Sequence, residues 1–232
     1  TLTVTITGTN DLPVVAADTN WVKEDGPVSA TGNVLQTLPH TGAPSGAFGD
    51  AADSDVDDSL SVVAATINGT YGQLVLGANG VYTYTLYTTG SSVATVQGLD
   101  DGETRTDVFN YNVTDGTATV PSSLTITIFG TNDAPAVTAA VTTVSEEGLT
   151  NGIADGTGTD DTTNVKTITG TMIASDVDVE TLNFVFTGAP TITSNGVTIG
   201  WIGLNSGTLV GMAGSVAVIT VAIGATGAYV VT

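Results

Sequence analysis

Leu2, Val4 and Ile6 alternate with Thr3, Thr5 and Thr7, and the same rhythm returns at Leu124, Ile126 and Ile128 around Thr125 and Thr127. A period of two puts the aliphatic side chains on one face of an extended segment and the threonines on the other. Both stretches therefore predict half-buried β-strands. Val108 to Val113 alternates too and runs into Asp115 and Gly116, a turn pair. Leu74 and Leu76, then Tyr82, Tyr84 and Leu86, flank residues 77–80 (Gly-Ala-Asn-Gly), whose composition suits positive φ and predicts a hairpin. No segment holds a helical period. Short alternating runs punctuated by Gly, Asn, Asp and Pro predict an all-β chain of sandwich type.

The pattern repeats along the chain. Residues 1–15 (TLTVTITGTNDLPVV) return as residues 123–137 (SLTITIFGTNDAPAV), so that Asn10 and Asp11 match Asn132 and Asp133. Val22 to Gly26 matches Val144 to Gly148, and Ser54 to Asp57 matches Ser175 to Asp178, in the same order. Three ordered matches define an internal repeat. The expected division follows: residues 1–12 as the last strand and linker of a preceding repeat, 13–133 as a complete β-sandwich, and 134–232 as a second sandwich, incomplete at its C-terminal end. The segment 227–232 resembles residues 80–85, after which the first repeat adds two more strands. The chain reads as a piece of something longer.

With 232 residues, two sandwiches of roughly 100–120 residues fit, and each can bury a core. Charge changes the picture more than length does. Lys23, Arg105 and Lys166 stand against 23 acidic residues, for a formal charge of −20. Such a surface repels nucleic acid and anionic lipid, whose recognition needs Lys and Arg. It suits divalent cations. A hydrophobic content of 41% separates the chain from acidic disordered tails. With no cysteine, stability must come from cores and bound ions. The composition suits an exported bacterial surface protein; no signal peptide and no membrane-spanning apolar run is seen.

The acidic residues cluster at expected strand ends and linkers. Asp53, Asp55, Asp57 and Asp58 form one run, and Asp176, Asp178 and Glu180 form its counterpart. Alternate residues of extended chain point the same way, so Asp55 and Asp57 can converge. Two converging carboxylates are costly without a cation between them. The spacing of an EF-hand is absent. The linkers Gly8 to Pro13 and Gly130 to Pro135 add Asn and Asp oxygens followed by a stiffening Pro.

Glu24-Asp-Gly26, Asp55-Val-Asp57, Tyr71-Gly-Gln-Leu74, residues 80–84 (Gly-Val-Tyr-Thr-Tyr), residues 107–111 (Asp-Val-Phe-Asn-Tyr), residues 113–116 (Val-Thr-Asp-Gly) and the Gly-Thr-Asn-Asp-Ala-Pro linker together resemble the VCBS repeat. VCBS repeats are cadherin-like modules of giant RTX adhesins exported by type I secretion. The resemblance covers residues 13–135. Residues 134–232 resemble a related repeat class of the same adhesins, without the Tyr-Gly-x-Leu segment.

The resemblance implies tandem immunoglobulin/cadherin-like β-sandwiches on the extracellular bacterial cell surface, with Ca2+ between consecutive modules. It further implies one ligand set of Glu24, Glu103, Asn132, Asp133, Asp176 and Asp178. A second set comprises Asn10, Asp11, Asp55 and Asp57, with Asp25, Asp115 and Glu146 as lesser candidates. The implied function is a calcium-stiffened extender stalk of an adhesin or biofilm protein, its partners being neighbouring repeats of the same protein.

Enzymatic readings are weak. His40 is the only histidine, expected on a surface loop, so triad and zinc readings would rest on it alone. Paired carboxylates that recur with each module do not make a glycosidase cleft. Lys23 or Lys166 could join an Asn in an isopeptide bond. Tyr82 and Tyr84 are expected to be half-buried on one strand face, and Trp201 in a core. Two rivals to the stalk stand: a carbohydrate- or protein-binding module, and a filament whose subunits donate residues 1–12 to identical neighbours.

Overall fold

A computed structural model describes residues 1–145, 165–178 and 180–232. The chain divides into two compact units, Thr1–Asp133 and Ala134–Thr232. The Glu-Glu-Gly motif at 146–148, with Glu146, and the Asp160-Asp161 stretch lie outside the described residues.

The first unit is a two-sheet sandwich. One sheet runs in the order β3 (Leu38–His40), β4 (Phe48–Asp50), β1 (Asp18–Lys23), β10 (Thr119–Phe129), β9 (Thr104–Thr114) and β5 (Ser61–Val62). The other runs β2 (Ser29–Asn33), β8 (Val81–Leu86), β7 (Gly72–Leu76) and β6 (Ala65–Asn68). A short helix, α1 (Val93–Gln97), joins β8 to β9. The alternation is realised side chain by side chain. Leu124, Ile126 and Ile128 of β10 meet Phe109, Tyr111 and Val113 of β9 and Leu74, Leu76, Tyr82 and Tyr84 of the facing sheet in one core. Tyr82 and Tyr84 are fully buried rather than half-buried. Phe109 sits edge-on to Tyr84. The β7–β8 hairpin closes through Gly80, whose φ of 83° only glycine adopts without strain.

β1 pairs in parallel with β10, from Asp18 beside Leu124 to Lys23 beside Phe129, whereas β9 and β10 form a long antiparallel ladder. Polar groups taken into this core are paired. Asp107 accepts the backbone N–H groups of Thr70, Tyr71 and Gly72 at 2.7, 3.0 and 3.1 Å and the Tyr84 hydroxyl at 2.8 Å. Tyr111 donates to Asp18, and Tyr82 donates to Asp50. His40 is not a surface residue. Its ring lies 3.0 Å from the Asp50 carboxylate, with a side chain only 12% exposed, because a buried acid draws the one available imidazole inward.

In the second unit a five-stranded sheet runs Ile168–Thr171, Ala228–Val231, Val216–Ile223, Thr208–Ala213, Gly200–Ile202. Ala136–Thr138 pairs separately with Ile173–Ser175. Trp201 is half-buried and donates its indole N–H to the Pro190 carbonyl. Leu2 to Thr7, expected as a strand, pairs with no strand among the described residues. Leu2, Val4 and Ile6 are 90%, 73% and 91% exposed. Residues 1–9 carry the right alternation, but a strand needs a ladder partner.

Candidate metal centre

One pole of the first unit gathers the carboxylates of the N-terminal set. A single antiparallel bridge does the positioning: Val14 and Ser54 exchange backbone hydrogen bonds of 2.8 and 3.0 Å. It clamps the linker holding Asn10 and Asp11 against the acidic run, and Pro13 is buried beside it. Asp53 and Asp55 flank Ser54, so they share the face opposite it. Immediately afterwards the chain turns. Asp55 accepts the N–H groups of Asp57 and Asp58 through one oxygen, at 3.1 and 3.0 Å. This Asx-type turn brings the Asp57 carboxyl back beside Asp55.

The linker side supplies the rest. Asn10 donates to Asp115 at 2.9 Å and to its neighbour's carbonyl, which commits the amide nitrogen and turns the amide oxygen to other company. Asp115 itself caps the β9–β10 turn by accepting the N–H groups of Thr117 and Ala118. Thus Asn10, Asp11, Asp55, Asp57 and Asp115 lie together, with Asp53 alongside.

The electrostatics show the strain of that gathering. The two N–H donors from the turn hold Asp55 below the usual carboxylate range, opposed by the nearby charge of Asp115. Asp57 is pushed up, first by its contact with the Asp55 carboxyl and further by the charges of Asp55 and Asp11. The Asn10 amide and the turn N–H groups pull Asp115 down. Burial raises Asp53, although the Ala16 N–H donates to it at 2.8 Å. Among the described residues, Oδ2 of both Asp53 and Asp55 is buried without a hydrogen-bond partner. A buried carboxylate oxygen without a donor needs either a proton or a cation.

The opposite pole of the same unit holds the other predicted linker. Glu24 is buried and accepts the Thr131 N–H. Glu103 accepts the Asp100 N–H through its side chain, and its carbonyl receives the Gly130 N–H. Asn132 folds its amide nitrogen onto the Asp133 carbonyl, the same local arrangement as at Asn10. Glu24, Glu103, Asn132 and Asp133 are therefore all drawn to the β10 exit. Asp25 is exposed beside Glu24. The Lys23 ammonium lies 3.8 Å from the Asp101 carboxylate.

Asp176 and Asp178 belong to the second unit. There Asp178 donates its N–H to Asp176 at 3.0 Å, the same turn as at Asp55, and Oδ2 of Asp176 is again buried without a hydrogen-bond partner. Asp53, named in the sequence only as part of the acidic run, lay outside the implied ligand sets. Its parity with Asp55 was the available signal.

Among the described residues no three acidic or histidine side chains form a ready-made metal cage. The poles instead offer carboxylate, carboxamide and main-chain oxygens, without sulfur or imidazole. That donor set suits a hard cation with flexible, high coordination, and calcium fits it better than zinc or magnesium.

The first unit is thus a β-sandwich whose first and last strands pair in parallel, with acidic linkers at both poles. The sequence profile of the bacterial cadherin-like domain matches residues 10–130, so this chain belongs to that family of structural and adhesion-type modules. Comparison with curated protein sequences finds no match. No helix among the described residues is long and apolar enough to cross a membrane.

Proposed function

We propose that the chain is a calcium-stiffened extender repeat of a bacterial surface adhesin or biofilm protein of the VCBS and RTX type, exported by type I secretion and without catalytic activity. The observation carrying this reading is the convergence of Asn10, Asp11, Asp55, Asp57 and Asp115 at one pole, with a buried Asp55 oxygen lacking a hydrogen-bond partner. Calcium would supply positive charge that lets these carboxylates stay ionised in contact. The first set would be Asn10, Asp11, Asp55 and Asp57, joined by Asp53 and Asp115. The second would draw on Glu24, Glu103, Asn132 and Asp133, and within the second unit Asp176 and Asp178 repeat the Asp-x-Asp turn of Asp55 and Asp57. Neighbouring repeats of the same protein are the partners this implies.

Exported chains pass through low-calcium cytoplasm before reaching calcium-rich surroundings. A weak site leaves such a chain loose inside the cell and orders it outside. The test is thermal unfolding of the chain with calcium and with chelator. A higher melting temperature in calcium is expected, and identical curves would sink the proposal. Direct stacking of sugars on Tyr82 and Tyr84 loses its platform, because both rings are buried.

A further inference from the structure

We propose that Asn195 and Gly196 form a self-modification site. The Gly196 backbone nitrogen closes on the Asn195 carboxamide, expels ammonia and leaves an aspartate or isoaspartate that opens the surrounding hairpin. Asn-Gly pairs occur at 68–69, 79–80, 151–152 and 195–196. Glycine favours the reaction, because without a Cβ its nitrogen is approached closely and its backbone turns freely. The pair at 151–152 lies outside the described residues.

Two of the other three pairs are guarded. The Gly69 N–H donates to the Gly72 carbonyl at 2.7 Å, and the Asn68 side-chain oxygen accepts from the Gln73 amide at 2.8 Å. The Gly80 N–H donates to the Gly77 carbonyl at 2.9 Å, and the Asn79 side-chain oxygen accepts the Val81 N–H at 3.3 Å. In each pair the attacking nitrogen and the carboxamide are both held by other partners. Both pairs also sit on hairpins within the four-stranded sheet, whose β6–β7 and β7–β8 ladders hold four and five residue pairs.

Asn195 and Gly196 lack these restraints. Both are exposed, and among the described residues neither the Gly196 N–H nor the Asn195 side chain makes a hydrogen bond. With φ of 47° and 75°, they are the central residues of a primed two-residue turn. The hairpin it closes pairs Thr193 with Thr198 and Ser194 with Val197, and one further bond runs from the Ile199 N–H to the Ile192 carbonyl at 2.9 Å. Among the described residues no third strand lies alongside these two. So short a hairpin opens at low cost. Opening releases Asn195 from its left-handed conformation and lets its Cγ come within reach of the Gly196 nitrogen.

The Gly196 nitrogen gives its proton to hydroxide and bonds to Asn195 Cγ. The Cγ–Nδ2 bond breaks, and the departing nitrogen takes a proton from water and leaves as ammonia. Water then adds to either carbonyl of the succinimide ring. One opening yields aspartate; the other yields isoaspartate, in which Cβ joins the main chain. The sum is one water consumed and one ammonia released. The extra main-chain carbon breaks the geometry of a two-residue turn, so the short ladder loses its closure.

The test ages the 232-residue chain at mildly alkaline pH in native buffer and, in parallel, in urea. Peptide mapping by mass spectrometry follows each Asn-Gly pair. In native buffer position 195 is expected to convert at least ~10-fold faster than positions 68 and 79. In urea the three rates should converge, because only the fold distinguishes them. Separation of the isomeric peptides should show isoaspartate beside aspartate at 195, and hydrogen exchange at the Ile199 N–H should quicken in the aged chain. Equal native rates, a native ranking that persists in urea, aspartate without isoaspartate, or unchanged exchange at Ile199 overturns the proposal.

Discussion

Asp55→Asn separates the turn from the ion. One Asp55 oxygen accepts the N–H groups of Asp57 and Asp58, and a carboxamide oxygen keeps both bonds. The substitution removes the negative charge and turns the buried, donor-less Oδ2 into an NH2 group that cannot ligate a cation. Sites in extracellular modules bind calcium with dissociation constants of about 10⁻⁴–10⁻³ M. Free calcium roughly 10–100 times above that constant stabilises the folded state by ~1.4–2.7 kcal/mol. With unfolding entropy of ~2.1 cal/mol/K per residue, a unit spanning residues 1–133 gains about 5–10 °C in Tm. Asp55→Asn should reduce that increment to less than ~2 °C. In chelator its Tm should equal or exceed that of the parent, because the charges of Asp57 and Asp115 no longer face a third carboxylate. Scanning calorimetry of both proteins in calcium and in chelator reads all four values. An Asp55→Asn chain with the full calcium increment would refute the reasoning.

Asp107→Ala strands three backbone N–H groups and the Tyr84 hydroxyl in the core, for an expected loss of ~3–5 kcal/mol by urea unfolding, against ~1 for Tyr84→Phe. A loss below ~1 kcal/mol for Asp107→Ala would contradict that accounting. Asp18 is pushed up to about 6 by burial, with the charges of Asp50 and Asp53 adding to it and the Tyr111 hydroxyl and Ala51 N–H opposing. A folded pKa above the unfolded value means that the native state holds the proton longer. Its stabilising contribution is therefore complete below about pH 4 and lost as pH rises through about 6. The stability difference between parent and Asp18→Asn should shrink across that window by ~2 kcal/mol, and a pH-independent difference would count against it. Gly80→Ala forces a positive φ on a residue with a Cβ only 2.5 Å from the Asn33 side-chain oxygen, and should cost ~2 kcal/mol in denaturant titration.

The all-β class was legible because alternation maps directly onto inward and outward positions; Phe109, Tyr111 and Val113 obey it without exception. What alternation cannot supply is depth. Tyr82 and Tyr84 were expected at a half-buried face, yet each reaches a buried acid that satisfies its hydroxyl, so both rings go fully inside. The same acids explain His40. A lone loop histidine gives no hint that Asp50, ten residues on, will turn inward and need a partner. At the candidate centre, parity pointed to Asp55 and Asp57, but a turn after Asp55, not extended chain, brings them together, and repetition pointed to Asn10 and Asp11. The Val14–Ser54 bridge that brings the two groups together is a long-range pairing of single residues, too brief to leave a period. Asp115 ranked only among the lesser candidates, since a turn-capping aspartate and a cation ligand look alike in sequence.

The parallel pairing of β1 with β10 also sets how the first unit bears mechanical load. The chain enters β1 at Asp18, beside Leu124, and leaves β10 at Phe129, beside Lys23. Tension applied to the two ends of this unit therefore pulls the neighbouring strands in opposite directions along their length. The ladder bonds from Asp18 to Lys23 are then strained simultaneously, instead of opening one after another as in a hairpin pulled from its open end. Six consecutive residue pairs sharing a load, locked below by Leu124, Ile126 and Ile128, make a tether that resists sudden force far better than its equilibrium stability alone conveys.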